Sequence, residues 1–178
     1  MDKLKRAPLP LVTFATLAVL VLASVASAQL VKGTPGDDVI NASATGDRVH
    51  ALAGNDVVNG LAGRDYVWGG AGNDTVNGGG GLDRVWGGPG DDVVTGGNGA
   101  DLWLSGGFGN DTVNGGDGAD KLRGNAGDDT LNGGAGNDRL HGGPGADILN
   151  CGDGDDVAYV RAGDTVNADC ERRVGRAA

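Results

Sequence analysis

The apolar residues of this chain follow two regimes. Residues 11–22 (LVTFATLAVLVL) form one mostly apolar run. Beyond residue 33 a single apolar residue returns every ninth position: Ile40, Val49, Val58, Val67, Val76, Val85, Val94 and Trp103. After one ten-residue step the series resumes at Val113, Leu122, Leu131, Leu140, Leu149 and Ala158. An aspartate stands two places before each of them. These are Asp38, Asp47, Asp56, Asp65, Asp74, Asp83, Asp92 and Asp101, then Asp111, Asp120, Asp129, Asp138, Asp147 and Asp156. The result is 14 units with one residue inserted near Ser105. With each aspartate as position 6, position 4 is glycine in 13 units, position 1 in 11 and position 2 in 9.

This phasing predicts local structure. Positions 1–6 are too glycine-rich for helix or strand and suit a tight turn with positive φ. Positions 7–9 predict a three-residue strand whose middle side chain points inward. One inward residue per unit makes a thin core, so each unit needs stacked neighbours, and a solenoid follows. A flexible Gly-Asn linker would not keep aspartate and apolar residue in phase through 14 units. Position 9 alternates between Asn41, Asn59, Asn77, Thr95, Asn114, Asn132, Asn150 and His50, Trp68, Trp86, Leu104, Arg123, His141, Tyr159. The true period is therefore 18. Two units per coil place the Asn row and the bulky row on opposite sheets, and seven coils at strand spacing make a rod of roughly 34 Å.

Composition sharpens the reading. With 37 glycines in 178 residues and 4% aromatics, a conventional helical or α/β domain is excluded. Glycine does not recur at every third position, so a collagen-like fibre is excluded too. The acid is nearly all aspartate, Glu171 being the single glutamate, and the formal charge of −10 argues against nucleic acid as a partner. Lys3, Lys5 and Arg6 precede the apolar run, and Ala26-Ser27-Ala28 follows it. That layout predicts a secretory signal peptide over residues 1–28, cleaved after Ala28. The run is short for a spanning helix, so no membrane span is expected in the mature chain. The remaining chain carries 11 basic and 23 acidic groups, a net −12. Without a counter-ion it should be loose, because it cannot bury enough apolar surface to offset its ordering entropy.

The units, plainest in GGFGNDTVN (106–114) and GGAGNDRLH (133–141), resemble the hemolysin-type (RTX) calcium-binding repeat, G-G-x-G-x-D-x-U-x. The resemblance covers residues 33–159. It implies an all-β, right-handed parallel β-roll with two units per coil. It also implies Ca²⁺ ions between turns stacked on one edge, held by the 14 position-6 aspartates and by turn carbonyls of units n and n+2. The chemistry agrees independently: Ca²⁺ takes six to eight oxygens, and stacked aspartates repel unless cations intervene. An EF-hand is excluded, since no glutamate closes a twelve-residue loop. At most 12 inter-turn sites are expected, with weak ones at 42–50 and 51–59, where the paired glycines are missing. Metal binding and folding should be one event.

Cys151 replaces the first glycine of the last unit and Cys170 follows 19 residues later. With a secretion signal, this even pair reads as a disulfide within a C-terminal cap and tail, residues 160–178. Many members of the resembled family carry a catalytic or toxic domain beside the repeats and leave through a C-terminal signal. This chain departs on both counts, so no enzymatic role is expected. The two histidines, His50 and His141, lie in no triad-like arrangement. The bulky sheet carries Arg48, Tyr66, Trp68, Arg84, Trp86, Lys121, Arg123, Arg139 and Tyr159, a basic-aromatic face on an acidic protein. A competing, adhesin-like function would use that face to bind an envelope glycan, an acidic polymer or a protein.

Overall fold

The computed structural model describes residues 18–21, 28–170 and 172–175. The leader expected at 1–28 lies outside these residues, apart from Ala18–Val21 and Ala28. All regular structure among them is β, and every strand pairing is parallel. One sheet stacks Ala18–Val21, Asp38–Asn41, Val57–Asn59, Thr75–Gly81, Val93–Asn98, Thr112–Asp117, Thr130–Ala135, Ile148–Asp153 and Thr165–Val166, with Ala62–Gly63 beside Thr75–Gly81. It carries the Asn row. The other stacks Leu30–Lys32, Arg48–Ala53, Tyr66–Ala71, Arg84–Pro89, Trp103–Phe108, Lys121–Ala126, Arg139–His141, Val157–Val160 and Arg172–Gly175. It carries the aromatic row. The chain alternates between the sheets, and its 18-residue spacing makes a β-solenoid of about eight turns. The expected seven coils gain partial ones at each end. Ala18–Val21, within the expected leader, pairs with Asp38–Asn41 and covers an edge that would otherwise be open.

The register keeps like against like: Thr112 faces Thr130, Val113 faces Leu131 and Asn114 faces Asn132. The inward column of the Asn sheet is Ile40, Val58, Val76, Val94, Val113, Leu131 and Leu149, all buried. Val31, Val49, Val67, Val85, Leu104, Leu122, Leu140 and Ala158 answer from the other sheet. The outward asparagines form a ladder, with Asn59 Nδ2 donating to Asn41 Oδ1 at 2.8 Å and Asn132 Nδ2 to Asn114 Oδ1 at 2.7 Å. Thr95 breaks that ladder, and the Asn77 Oδ1 beneath it is buried without a donor among the described residues.

Three expectations need correction. Nine strands among the described residues hold six residues rather than three, running from position 7 through position 3 of the next unit, as in Thr112–Asp117. Position 1 is consequently a second inward position, and Ala42, Ala51 and Cys151 are buried there. The other position-1 residues are glycines for lack of space. A Cβ on Gly115 would stand 2.3 Å from the Gly133 carbonyl oxygen and 2.6 Å from Asp120 Oδ2.

The third correction concerns Trp103, expected inward at position 8. The register sets Trp103 opposite Arg84, Leu104 opposite Val85 and Ser105 opposite Trp86. Leu104 is therefore the core residue, fully buried, and Trp103 faces out in the basic-aromatic row. The inserted residue is Leu102, not one near Ser105. Its N–H bonds the Asp83 carbonyl at 3.0 Å, so Leu102 and Trp103 together oppose Arg84 as a bulge. The reason is steric and electrostatic at once. Asp101 stays in its column, bonded to the coils on both sides, and the interior between Val85 and Leu122 takes a branched aliphatic side chain rather than an indole.

Candidate metal centre

Twelve of the 14 turns, from Leu52/Gly54 to Gly152/Gly154, are built by two positive-φ residues, at positions 2 and 4 of the unit. Gly70 and Gly72 both sit at φ 128. Where position 2 is not glycine the backbone still takes that conformation at Leu52 (φ 93), Leu61 (φ 79) and Asn125 (φ 82). Successive turns lie in close contact, so that a Cβ on Gly72 would meet the Gly54 carbonyl oxygen at 2.1 Å. This stacking excludes side chains from the turn interior, apart from one.

That one is the position-6 aspartate. All 14 are buried. In the twelve from Asp56 to Asp156, Oδ1 accepts the backbone N–H of the aspartate one coil earlier, at 2.5–3.0 Å. The bonds sort the aspartates into the two columns that an 18-residue coil requires. One runs Asp38, Asp56, Asp74, Asp92, Asp111, Asp129, Asp147, and the other Asp47, Asp65, Asp83, Asp101, Asp120, Asp138, Asp156. Gln29 N–H opens the second column on Asp47 Oδ1 at 2.7 Å. Asp164, which breaks the nine-residue spacing, closes the first by accepting from Asp147 N at 3.3 Å.

The second oxygen decides the chemistry. From Asp56 to Asp156, Oδ2 is buried and receives no hydrogen bond among the described residues. Twelve such oxygens stand in two columns of six. A buried carboxylate oxygen without a donor is costly, and a hard cation is the group that satisfies it. Desolvation by burial pushes the carboxyls of Asp65, Asp74 and Asp120 up to about 7. It holds Asp92, Asp101, Asp111, Asp129 and Asp138 up at about 6. Asp56, Asp83 and Asp147 shift the same way for the same reason. The Oδ1 hydrogen bond lowers each value, and like charges in the column raise most of them.

Asp38 and Asp47 differ. Thr34 N–H donates to Asp38 Oδ2 at 2.5 Å, and Ser43 donates to Asp47 Oδ2 from both N–H and hydroxyl at 2.7 Å. Neither Thr34 nor Ser43 takes the positive φ of position 2, so each turns its N–H onto the carboxylate instead. The departure from the pattern thus falls on 33–41 and 42–50, not on 42–50 and 51–59, because Leu52 keeps the glycine-like turn. Among the described residues no three acidic, histidine or cysteine side chains converge. A cation between turns would take its carboxylates from consecutive aspartates of a column and its other oxygens from the backbone.

A further column lay outside the sequence reading. On one edge Asp37, Asn55, Asn73, Asp91, Asn110 and Asp128 each cap the N–H one coil later at 2.7–3.0 Å. The Asn/Asp at position 5 of alternate units was its signal. On the other edge, among the described residues, Asn137 alone does so, to Asp155 N.

The basic-aromatic residues all lie on the outer face of the second sheet, but they divide into two groups. Trp68 stacks on His50 at 4.3 Å and on Trp86 at 4.9 Å between ring centres. Arg48, Arg64 and Arg84 surround the Tyr66 ring at 5.1–6.0 Å, and Arg84 Nη1 donates to its hydroxyl at 2.7 Å. Arg64 was not among the residues expected here. In the C-terminal half Arg123 lies over Trp103 at 4.2 Å, and Lys121, Arg139 and Tyr159 line a cleft of about 590 Å³ with it. Cys151 and Cys170 are joined, with Cα atoms 5.0 Å apart, tying the buried position 1 of the last unit to the cap.

Turn-bound carboxylate columns on a two-sheet parallel coil define a β-roll with cation-binding turns. Segments matching the RTX calcium-binding nonapeptide repeat run, overlapping, from residue 32 to 165. The chain belongs to that family of calcium-binding repeats. No curated protein matches the chain. No helix among the described residues is long and apolar enough to cross a membrane.

Proposed function

We propose that this is a secreted, non-enzymatic calcium-binding protein whose β-roll forms when Ca²⁺ enters its turns. The observation that carries this reading is the set of twelve buried Oδ2 atoms with no donor. Consecutive aspartates of a column, such as Asp74 with Asp92 or Asp83 with Asp101, would hold the ion together with turn carbonyls. The ion would supply the charge that lets acidic groups stack one coil apart. Two columns of six orphaned oxygens contain five consecutive pairs each, which caps the sites at ten. Secretion fits the basic-apolar-small layout of residues 1–28 and the Cys151–Cys170 disulfide, since oxidising compartments are where disulfides persist. Against a catalytic role, His50 is engaged in stacking on Trp68 and His141 packs against Tyr159 at 6.0 Å.

Calorimetric Ca²⁺ titration of the chain from Gln29 onward, followed in parallel by far-UV circular dichroism, tests the proposal. Up to ten ions should bind as β signal appears. Unchanged β content from chelator to millimolar Ca²⁺ would sink it.

A further inference from the structure

We propose that the cleft at the C-terminal end of the aromatic sheet binds an acidic oligosaccharide, a sugar chain carrying carboxylates along its length. The calcium chemistry of the turns does not require this site, and the site lies on a sheet face rather than an edge. Lys121 and Arg139 are register partners on adjacent strands, as are Arg123 and His141. The charges of Lys121 and Arg139 therefore follow one another along the rod at about the 4.8 Å strand spacing. Stacked like charges at that distance repel, yet Lys121, Arg123 and Arg139 stay exposed on a protein of formal charge −10. Among the described residues none of these three side chains, nor that of Arg161, has a carboxylate partner. The cleft of about 590 Å³ that they line is of the size that holds a small ligand.

The N-terminal half of the same face is different. There the indole faces of Trp68 and Trp86 cover one another, and three arginines crowd Tyr66. In the C-terminal half the small, buried Ser105 at position 9 interrupts the aromatic row between Trp86 and Arg123.

The identity of the ligand follows from what the cleft offers. Its cations suit oxyanions, and the guanidinium fork of Arg139 matches a carboxylate bidentately. A nucleobase would need an open aromatic platform, but Arg123 already covers the Trp103 ring. An extended peptide would need a sheet edge, whereas this is a face whose backbone bonds run along the rod to neighbouring strands. A sugar chain lying along the rod meets Lys121 and Arg123 on one strand, Arg139 on the next and the half-exposed Tyr159 on the one after.

The test uses the folded chain in constant millimolar Ca²⁺, titrated calorimetrically with a galacturonate hexasaccharide, a neutral glucose hexasaccharide of equal length and a DNA hexanucleotide. Titration of the uronate into protein-free buffer removes its own calcium heat. Binding of the uronate alone is expected, weakening as salt rises. The variant Arg123→Ser/Arg139→Ser should lose affinity by about tenfold or more. Arg48→Ser/Trp86→Ser, on the other half, should change it by less than about twofold. Calcium-dependent circular dichroism of each variant separates loss of the site from loss of the roll. The proposal is overturned if the neutral sugar or the oligonucleotide binds as well as the uronate, if no uronate binds to a folded roll, or if the double arginine variant binds unchanged.

Discussion

At the scale of single residues, position 2 of the turn is where sequence and geometry disagree. The turn demands positive φ there, and glycine meets it without a Cβ penalty. Leu61 meets it at φ 79 with a half-exposed side chain that returns little packing energy. Leu61→Gly should therefore stabilise the calcium-loaded roll by about 0.5–1 kcal/mol, read as a higher urea midpoint. The reverse change at the facing turn, Gly79→Leu, should destabilise it by more than that. A Cβ on Gly79 would stand 2.0 Å from the Leu61 carbonyl oxygen. Glycine at positions 1, 2 and 4 and a turn with positive φ were visible in the sequence, but not that two different reasons select the glycines. Positions 2 and 4 need the dihedral angle, and position 1 needs the empty volume beside the aspartate.

At the scale of the strand, the inserted residue shows how a coil absorbs an irregularity. The nine-residue count puts Trp103 in the core, and the parallel register puts Leu104 there. Leu104→Ala should cost about 2–5 kcal/mol of denaturant-measured stability, the range for a buried leucine. Trp103→Ser should cost under about 1 kcal/mol, the cation–π contact with Arg123 being its main loss. Comparable losses for both would mean that the bulge at Leu102 is misplaced. The Asn ladder, the two aspartate columns and the two-sheet arrangement were all legible from the 18-residue alternation. The bulge was not, because inserting at Leu102 or near Ser105 leaves the same spacing between aspartates.

At the scale of the whole molecule, the ends and the net charge govern stability. The Cys151–Cys170 bridge spans 19 residues and anchors the cap, whose Thr165–Val166 strand pairs with Ile148–Asp153. Replacing both cysteines by serine should lower stability by about 3 kcal/mol, by the chain-entropy estimate for such a loop. Denaturant unfolding in saturating Ca²⁺ would measure it. The aspartate columns set the pH response. Their carboxyls stand near 6–7 in the roll against an ordinary 3.8 unfolded, so the calcium-free roll binds more protons than the unfolded chain. Its stability is greatest below about 3.8 and is lost as pH rises through 6–7. In chelator, β content should rise as pH falls from 8 toward 4, while Ca²⁺ affinity falls over the same window as protons compete for the ligands. A chelated chain with flat β content across that range would contradict the burial of these carboxyls.

The sequence by itself determined the coil. A period of nine doubled to 18 admits one way to keep aspartates in columns and aliphatic residues inside, and this composition has no other core to bury. Tertiary structure decided what depends on three-dimensional neighbours. It turned Thr34 and Ser43 onto their aspartates and left the oxygens of Asp56 to Asp156 without donors. It drew Asp164 into a column against the spacing, because a coil-to-coil hydrogen bond selects distance in space rather than residue count. It also divided one basic-aromatic face into a stack that satisfies itself and a cleft whose Lys121, Arg123 and Arg139 have no carboxylate partner among the described residues. Row composition cannot reveal that division, since it depends on which rings meet and which arginines they take as partners.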